Sequence, residues 1–307
     1  MLGSAIGEAL RRRGATLLRL VRREARDPGE LHWSPAAGEL EAGRLEGLGA
    51  AVHLSGASVI SRRWTARFKR EMTESRVETT RFLSETLAKL EQPPPVLVTA
   101  SAIGFYGDRG DEILDEDSAP GGGFFPELCA AWEAAARPAE DAGIRVVHLR
   151  FGMVLGRNSG AMARLAPLFR LGLGGRLGSG RQWMSWVSET DAVSAGLLAL
   201  RNVDISGPVN VVAPEPVTNA AFTRELGRAV HRPTLLPAPA FALRLAFGGM
   251  ADEALLASTR AVPKRLTQAG FAFAHPTLPE AFAASLGNSR SRMPGQPNPG
   301  PSIDWDE

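Results

Sequence analysis

Few side chains in this sequence could carry out chemistry, and the most conspicuous is a lone phenol. Tyr106 is the only tyrosine in 307 residues, and Ser101 stands five positions before it. Two hydroxyls that close could exchange a proton with an alcohol or a carbonyl, which is general acid–base chemistry. Four positions beyond Tyr106 stands Gly110, so no lysine at helical spacing lowers the pKa of the phenol. Tyr106-Gly107-Asp108 reads equally well as an inert turn. The single cysteine, Cys129, lies among alanines and has the character of a small core residue rather than a nucleophile. Asp115, Glu116 and Asp117 read as a solvated acidic cap. Arg22 and Arg23 follow an apolar run and could pair with a phosphate, although arginine pairs in such places are often simply solvated. Further along, Arg181, Gln182, Trp183 and Trp186 offer a charge for an anion and aromatic faces for stacking. The five histidines are scattered without ligand spacing, so no metal site is expected.

These residues need a frame. Short apolar, β-branched runs alternate with helical patterns through the first two thirds, the sequence form of an α/β fold with a parallel sheet. A helix over 4–13 stops at Gly14, and strands follow over 15–21 and 50–54. A long amphipathic helix over 64–90 turns Phe68, Met72, Phe82 and Leu83 toward the core. Prolines at 93–95 end it before a strand over 96–100; a loop to Gly123, a helix over 127–142 and a strand over 144–150 follow. Residues 156–181 turn rich in Gly and Arg and read as a loop-rich lobe, with Asp191 as the N-cap of a helix beyond it. A strand over 207–212 precedes a mainly helical stretch over 215–286, and the Pro-, Gly- and Ser-rich 287–307 reads as a disordered tail.

Composition narrows the function classes. At 44% hydrophobic the chain can bury a sizeable core, and 35 basic against 33 acidic residues leave no basic face. No Lys/Arg run is interleaved with aromatics, which argues against nucleic acid. The apolar stretch over 235–250 is interrupted by Pro237, Pro239 and Arg244 and cannot span a bilayer cheaply. The first residues do not read as a secretion signal, and one cysteine excludes internal disulfides. The expectation is a soluble cytoplasmic protein acting on a small molecule, with oligomeric state open.

Seven segments extend that reading: HLSGASVISRRW (53–64), SRVETT (75–80), TASAIGFYGD (99–108), DEDSAPGGGFFPELCAAWEAAA (115–136), LRFGMVLGR (149–157), PLFRLGLGGRLGSGRQWMSWV (167–187) and PKRLTQAGFAFAHPTLPEAF (263–282). In this order they resemble the extended, epimerase-like branch of the short-chain dehydrogenase/reductases, and within it the group with a small C-terminal domain of its own. The resemblance implies a Rossmann-type, doubly wound parallel sheet over 1–153 with returns near 184–212. It also implies a smaller, mainly helical substrate lobe and C-terminal domain from 154–183 and 213–286. In such a sheet the dinucleotide lies across the carboxyl ends of the strands, where Arg22, Ser55, Gly56 and Ser101 fall. The cofactor implied is NADP in preference to NAD, because Arg22 stands where an acidic residue would repel a 2′-phosphate. Leu54, Ser55 and Gly56 are placed on the adenosine side, Glu71 and Arg76 facing the cofactor, and Met153 toward the nicotinamide. Gly3 matches the last glycine of the phosphate-binding turn.

Two departures from the family pattern shape the expectation. The first strand and the two earlier glycines of the turn would lie before Met1, so the chain reads as an incomplete copy that binds cofactor weakly. Most members use a Tyr-x-x-x-Lys pair; aligned on Glu133, Phe125 and Cys129 occupy those positions here. Two functions follow. One is an NADP-dependent oxidoreductase or nucleotide-sugar epimerase-like protein, with Ser101 and Tyr106 replacing the usual machinery. The other is a non-catalytic NADP-binding sensor or partner-binding protein.

Overall fold

The computed structural model describes residues 1–59, 62–157 and 159–287. The tail expected over 287–307 lies outside them, Gly287 apart. Helix α1 (Leu2–Arg11) precedes β1 (Arg19–Val21), β2 (Glu30–Ser34), β3 (Glu39–Leu40) and β4 (Ala51–His53). Helices α2 (Ala66–Thr73) and α3 (Thr79–Leu87) lead to β5 (Val96–Ala102), β6 (Ile113–Leu114), α4 (Phe124–Ala134) and α5 (Arg137–Asp141). Next come β7 (Arg145–Phe151), β8 (Met153–Gly156), β9 (Ser159–Gly160), α6 (Met162–Arg170), β10 (Trp183–Met184) and β11 (Trp186–Ser188). The chain continues through α7 (Glu189–Arg201), β12 (Gly207–Val211), β13 (Val217–Thr218), α8 (Asn219–Ala229) and α9 (Ala240–Phe247). It closes with β14 (Arg260–Ala261), α10 (Lys264–Gln268) and α11 (Leu278–Leu286).

Strands β12, β7, β5 and β4 form a parallel sheet in that order. Side chains alternate between its faces, as the pleat requires. Val96, Val98, Val147 and Leu149 pack on Ala192, Ala195 and Ala199 of α7, whose small residues let the helix lie close. Leu97 and Val146 point the other way, onto Leu83 and Leu87 of α3. Each such aliphatic contributes roughly 1.5–3 kcal/mol by leaving water. Helices on both faces of a parallel sheet make this the expected doubly wound, Rossmann-type fold.

Strands β1 and β2 pair in parallel and β3 adds antiparallel, a ribbon that shares no ladder with the main sheet among the described residues. Both sheets nonetheless rest on α3, because Leu31 and Trp33 of β2 join Leu83, Leu87 and Leu97 in one core. Trp33 also meets His53 of β4 edge-on, with ring centroids 5.8 Å apart. β1 and β4 are end strands of their own sheets, and at this seam Val52 stays 37% exposed. Strands of a parallel sheet are normally covered on both faces.

Residues 30–40 form β2 and β3, elements that no local pattern in the sequence announces. Three expectations are corrected by the structure. The helix expected over 64–90 is divided by a π turn at Glu74–Glu78. Part of the loop-rich lobe is helical, as α6, with Pro167 tolerated inside it. Asp191 is not the N-cap of α7: Ser188 is, its Oγ accepting from the Asp191 amide at 3.0 Å. The Asp191 carboxylate instead accepts from the amides of Ala274 and His275.

Candidate functional site

The carboxyl ends of β1 and β4 open into a cavity of about 390 Å³, lined by Arg22, Leu54, Ser55, Gly56, Ala57, Glu71 and Ser75. The sequence-predicted residues Arg22, Leu54, Ser55, Gly56 and Glu71 are therefore brought together. Their neighbours in sequence are already engaged. Arg19 and Arg23 both bind the buried Glu30, at 2.6 and 2.7 Å, and chiefly Arg23 holds that carboxyl down to about 2. Arg22 is exposed and has no ion pair among the described residues. Its charge is still felt inward: burial first, and Arg22 second, push His53 down to about 4.

Arg76, expected to face the cofactor, is not among the lining residues; it lies behind Gly56. It sits in the π turn between α2 and α3, a geometry that recurs at functional sites. Its guanidinium is buried, with Nη2 donating to Ala57 O at 2.7 Å and Nη1 to Met72 O at 3.2 Å. Nε has no partner, and no carboxylate pairs with the group among the described residues. Burial lowers its pKa, and it stacks over Trp132 at 5.0 Å. Gly56 lies close against it: a Cβ there would stand 3.1 Å from Arg76 Cζ, so a larger residue would press the guanidinium to shift by a few tenths of an ångström. A cavity with Arg22 at the rim and an uncompensated arginine behind a glycine turn has the donor set for a phosphorylated, ribose-bearing ligand. Ser55 and Glu71 add hydroxyl and carboxylate partners for sugar hydroxyls.

The remaining predicted residues lie elsewhere. Gly3 is in the first turn of α1, with open space where a Cβ would project. Met153 begins β8 beside Trp186 of β11, and its amide donates to Ser185 O at 2.9 Å. Trp186 is no stacking face; it is buried in one cluster with Leu155, Met162 and Phe222. Gln182 is also buried, donating to the carbonyls of Leu177 and Leu255. Trp183 is half-buried, its indole donating to Asp111 at 2.7 Å while Arg260 covers its ring at 4.1 Å. Arg181 is exposed.

Ser101 and Tyr106 belong to one buried network. Ser101 Oγ donates to Glu133 Oε1 at 2.6 Å, and Arg150 grips the same carboxylate with two bonds of 2.8 Å. Arg150 also donates to the Tyr106 hydroxyl at 3.0 Å, which in turn donates to Asn210 Oδ1 at 2.8 Å. Tyr106 is fully buried, and that burial pushes its pKa up to about 12. Cys129 is likewise pushed up to about 12 by burial, and Phe125 packs against Trp64 and fills the space over Gly104. Glu133 and Arg150 were not singled out as site residues from sequence. The available signal was a charge inside an apolar strand and another inside an alanine-rich helix.

Residues 1–212 match the family described as NAD dependent epimerase/dehydratase. The chain belongs to that family. A second match, over 238–285, is to a domain of unknown function, DUF1731. Among the epimerase family's proteins, one from Mycobacterium bovis is 47% identical over 282 residues, 92% of this chain and 93% of its own. The human epimerase family protein SDR39U1 is 36% identical, over 92% of this chain and 94% of its own. The crystal structure of human SDR39U1 isoform 2, solved with NADPH, superposes with a TM-score of 0.86 at 33% identity, covering 94% of this chain and 96% of that one. A nucleoside-diphosphate sugar epimerase from Corynebacterium glutamicum superposes with a TM-score of 0.77 at 36% identity; it covers 94% of this chain, which spans about 56% of that longer protein. Among the described residues no helix is long and apolar enough to cross a membrane.

Proposed function

We propose that this epimerase family member binds NADP(H) in the cavity between β1 and β4 and acts on a small or nucleotide-linked substrate at its lobe. The observation that carries the reading is the pairing of an unengaged Arg22 at the rim with the uncompensated Arg76 behind Gly56. Arg22 takes the 2′-phosphate, Leu54 to Gly56 flank the adenosine, Glu71 accepts from a ribose hydroxyl, and Arg76 supplies positive potential from behind Gly56. The human relative solved with NADPH supports the choice of NADP over NAD. When bound, the cofactor supplies or accepts hydride; the chain's own task is to hold it and to orient a substrate carbon. Arg181, exposed and without an ion pair among the described residues, is the predicted substrate residue with free chemistry; Trp183 would first have to leave Asp111 and Arg260.

A second reading, an NADP-binding protein without turnover, has its own support. Phe125 and Cys129 stand where the family's Tyr and Lys belong, and Tyr106 is sealed between Arg150 and Asn210. A reductase reading needs Ser101 to release Glu133 and turn to substrate.

Fluorescence titration with NADPH and NADH, then single-turnover oxidation of bound NADPH against a panel of carbonyl compounds, separates the two. NADPH is expected to bind more tightly than NADH, and Arg22→Glu is expected to weaken NADPH by about 10- to 100-fold, leaving NADH within about threefold. Equal loss for both cofactors would remove Arg22 from the 2′-phosphate. Tight binding with no oxidation across the panel would favour the second reading.

A further inference from the structure

Away from the cofactor cavity, one face is both apolar and basic, contrary to the expectation from the near-balanced charges of the whole chain. Leu171, Leu173, Leu235, Leu236, Phe241 and Leu245 project into solvent, with Leu235 at 80% and the Phe241–Leu245 pair at 73% and 75% exposure. They form one surface because the chain segments that carry them lie side by side. Leu177 bridges Ala238, the Gly178 amide donates to Ala238 O at 2.8 Å, and Arg232 Nε donates to Arg170 O at 3.0 Å. Helix α9 begins where that strip ends. Phe241 and Leu245, four residues apart, share its outer side, while Leu243 is buried on the inner one.

Arginine dominates the rim. Neither 142–188 nor 226–251 contains an Asp or Glu, although the chain holds 33 of them. Arg170, Arg176 and Arg232 are exposed without a carboxylate partner among the described residues. Arg244 pairs only with Asp252, itself exposed. Monomeric surfaces rarely gather that many exposed aliphatics without a partner. A second copy of this chain fits poorly, because a twofold contact would lay the arginine rim against itself. An anionic, interfacial environment fits both halves of the pattern: apolar side chains enter the headgroup boundary while the arginines meet lipid phosphates.

We propose that this face docks reversibly on the surface of an anionic lipid bilayer, with Phe241, Leu245, Leu235 and Leu236 inserted and Arg170, Arg176 and Arg232 on the headgroups. No span is needed, so the absence of a membrane-crossing helix among the described residues is no obstacle. Docking is independent of the cofactor cavity and stands whether or not NADP binds there.

Cosedimentation of the full chain with phosphatidylcholine vesicles, and with vesicles in which about a third of the lipid is phosphatidylglycerol, tests this directly. Binding to the anionic vesicles is expected to be at least about tenfold stronger and to fall in high salt. The pairs Phe241→Ser with Leu245→Ser, and Arg170→Glu with Arg232→Glu, are each expected to remove at least about tenfold of it. All four positions are exposed, and unchanged melting curves verify that the variants fold; the arginine pair tests the proposal alone if the serine pair misfolds. Equal binding to both vesicles, or none, overturns it. So does a concentration-dependent dimer that the serine pair dissolves, which would give the patch to a second copy, or capture of an acidic protein in place of lipid.

Discussion

His53 and Arg22 report on one another at the mouth of the cavity. His53 is buried below the strand end, and its folded pKa of about 4 lies under the ordinary 6.5. As pH falls the unfolded chain therefore takes up its proton first. Stability from keeping this ring neutral is fully present above about 6.5 and is lost as pH drops toward 4, by up to about 3 kcal/mol. Denaturant melts between neutral pH and pH 4 should show that slope, and His53→Gln should flatten it. A phosphate on Arg22 would cancel part of the charge that depresses His53. The ring's NMR titration should then move upward when adenosine 2′,5′-bisphosphate is added. An unmoved titration at saturation would put the phosphate elsewhere.

The seam between β1 and β4 is where element and site meet, because both strands aim their carboxyl ends at the cavity while neither pairs with the other. An apolar strand seated there would cover Val52 and add several aliphatics at roughly 1.5–3 kcal/mol each. A version of the chain extended at its N-terminus by about ten residues, an apolar strand and a glycine-rich turn, should melt several degrees higher and gain more from NADP. Equal melting and equal NADP shifts for the two versions would mean that the seam is closed by its own side chains. Much at this scale was legible. Phe68 and Met72 fall on one buried side because helical period places them there, while Leu83 is buried in a separate cluster beyond the π turn, and Arg22 and Ser55-Gly56 were found because they directly follow apolar runs. What was hidden had no local pattern. Strand β2 contains Glu30, buried only because two arginines reach it, and α6 carries a proline and borders a glycine-rich loop. The Glu133–Arg150 pair joins a helix to a strand 17 residues on, a spacing with no period to read.

Across the whole molecule, the network around Tyr106 ties together parts of the chain that are far apart in sequence. Glu133 comes from α4, Arg150 from β7 and Asn210 from β12, while Asn210 Nδ2 donates to Val262 O in the C-terminal segment. The Glu116 carboxylate extends it, accepting from the amides of Asn210 and Arg265. Thr259 donates to Gly107 O, and Lys264 bridges Asp115 and Asp117. The acidic stretch 115–117, read from sequence as a solvated cap, is thus a clamp for the C-terminal segment, and Tyr106 is its hub. Removing the hydroxyl tests which role it has. Tyr106→Phe leaves Arg150 Nη1 and Asn210 Oδ1 each short of a partner in a buried setting, at about 1–3 kcal/mol. A hub predicts melting lowered by several degrees, with NADPH affinity and any single-turnover rate unchanged. A catalytic acid predicts a lost rate in addition to the lowered melting. Because only the rate separates the two outcomes, single-turnover measurement on this one variant decides whether the only tyrosine of this chain serves its architecture alone or its chemistry as well.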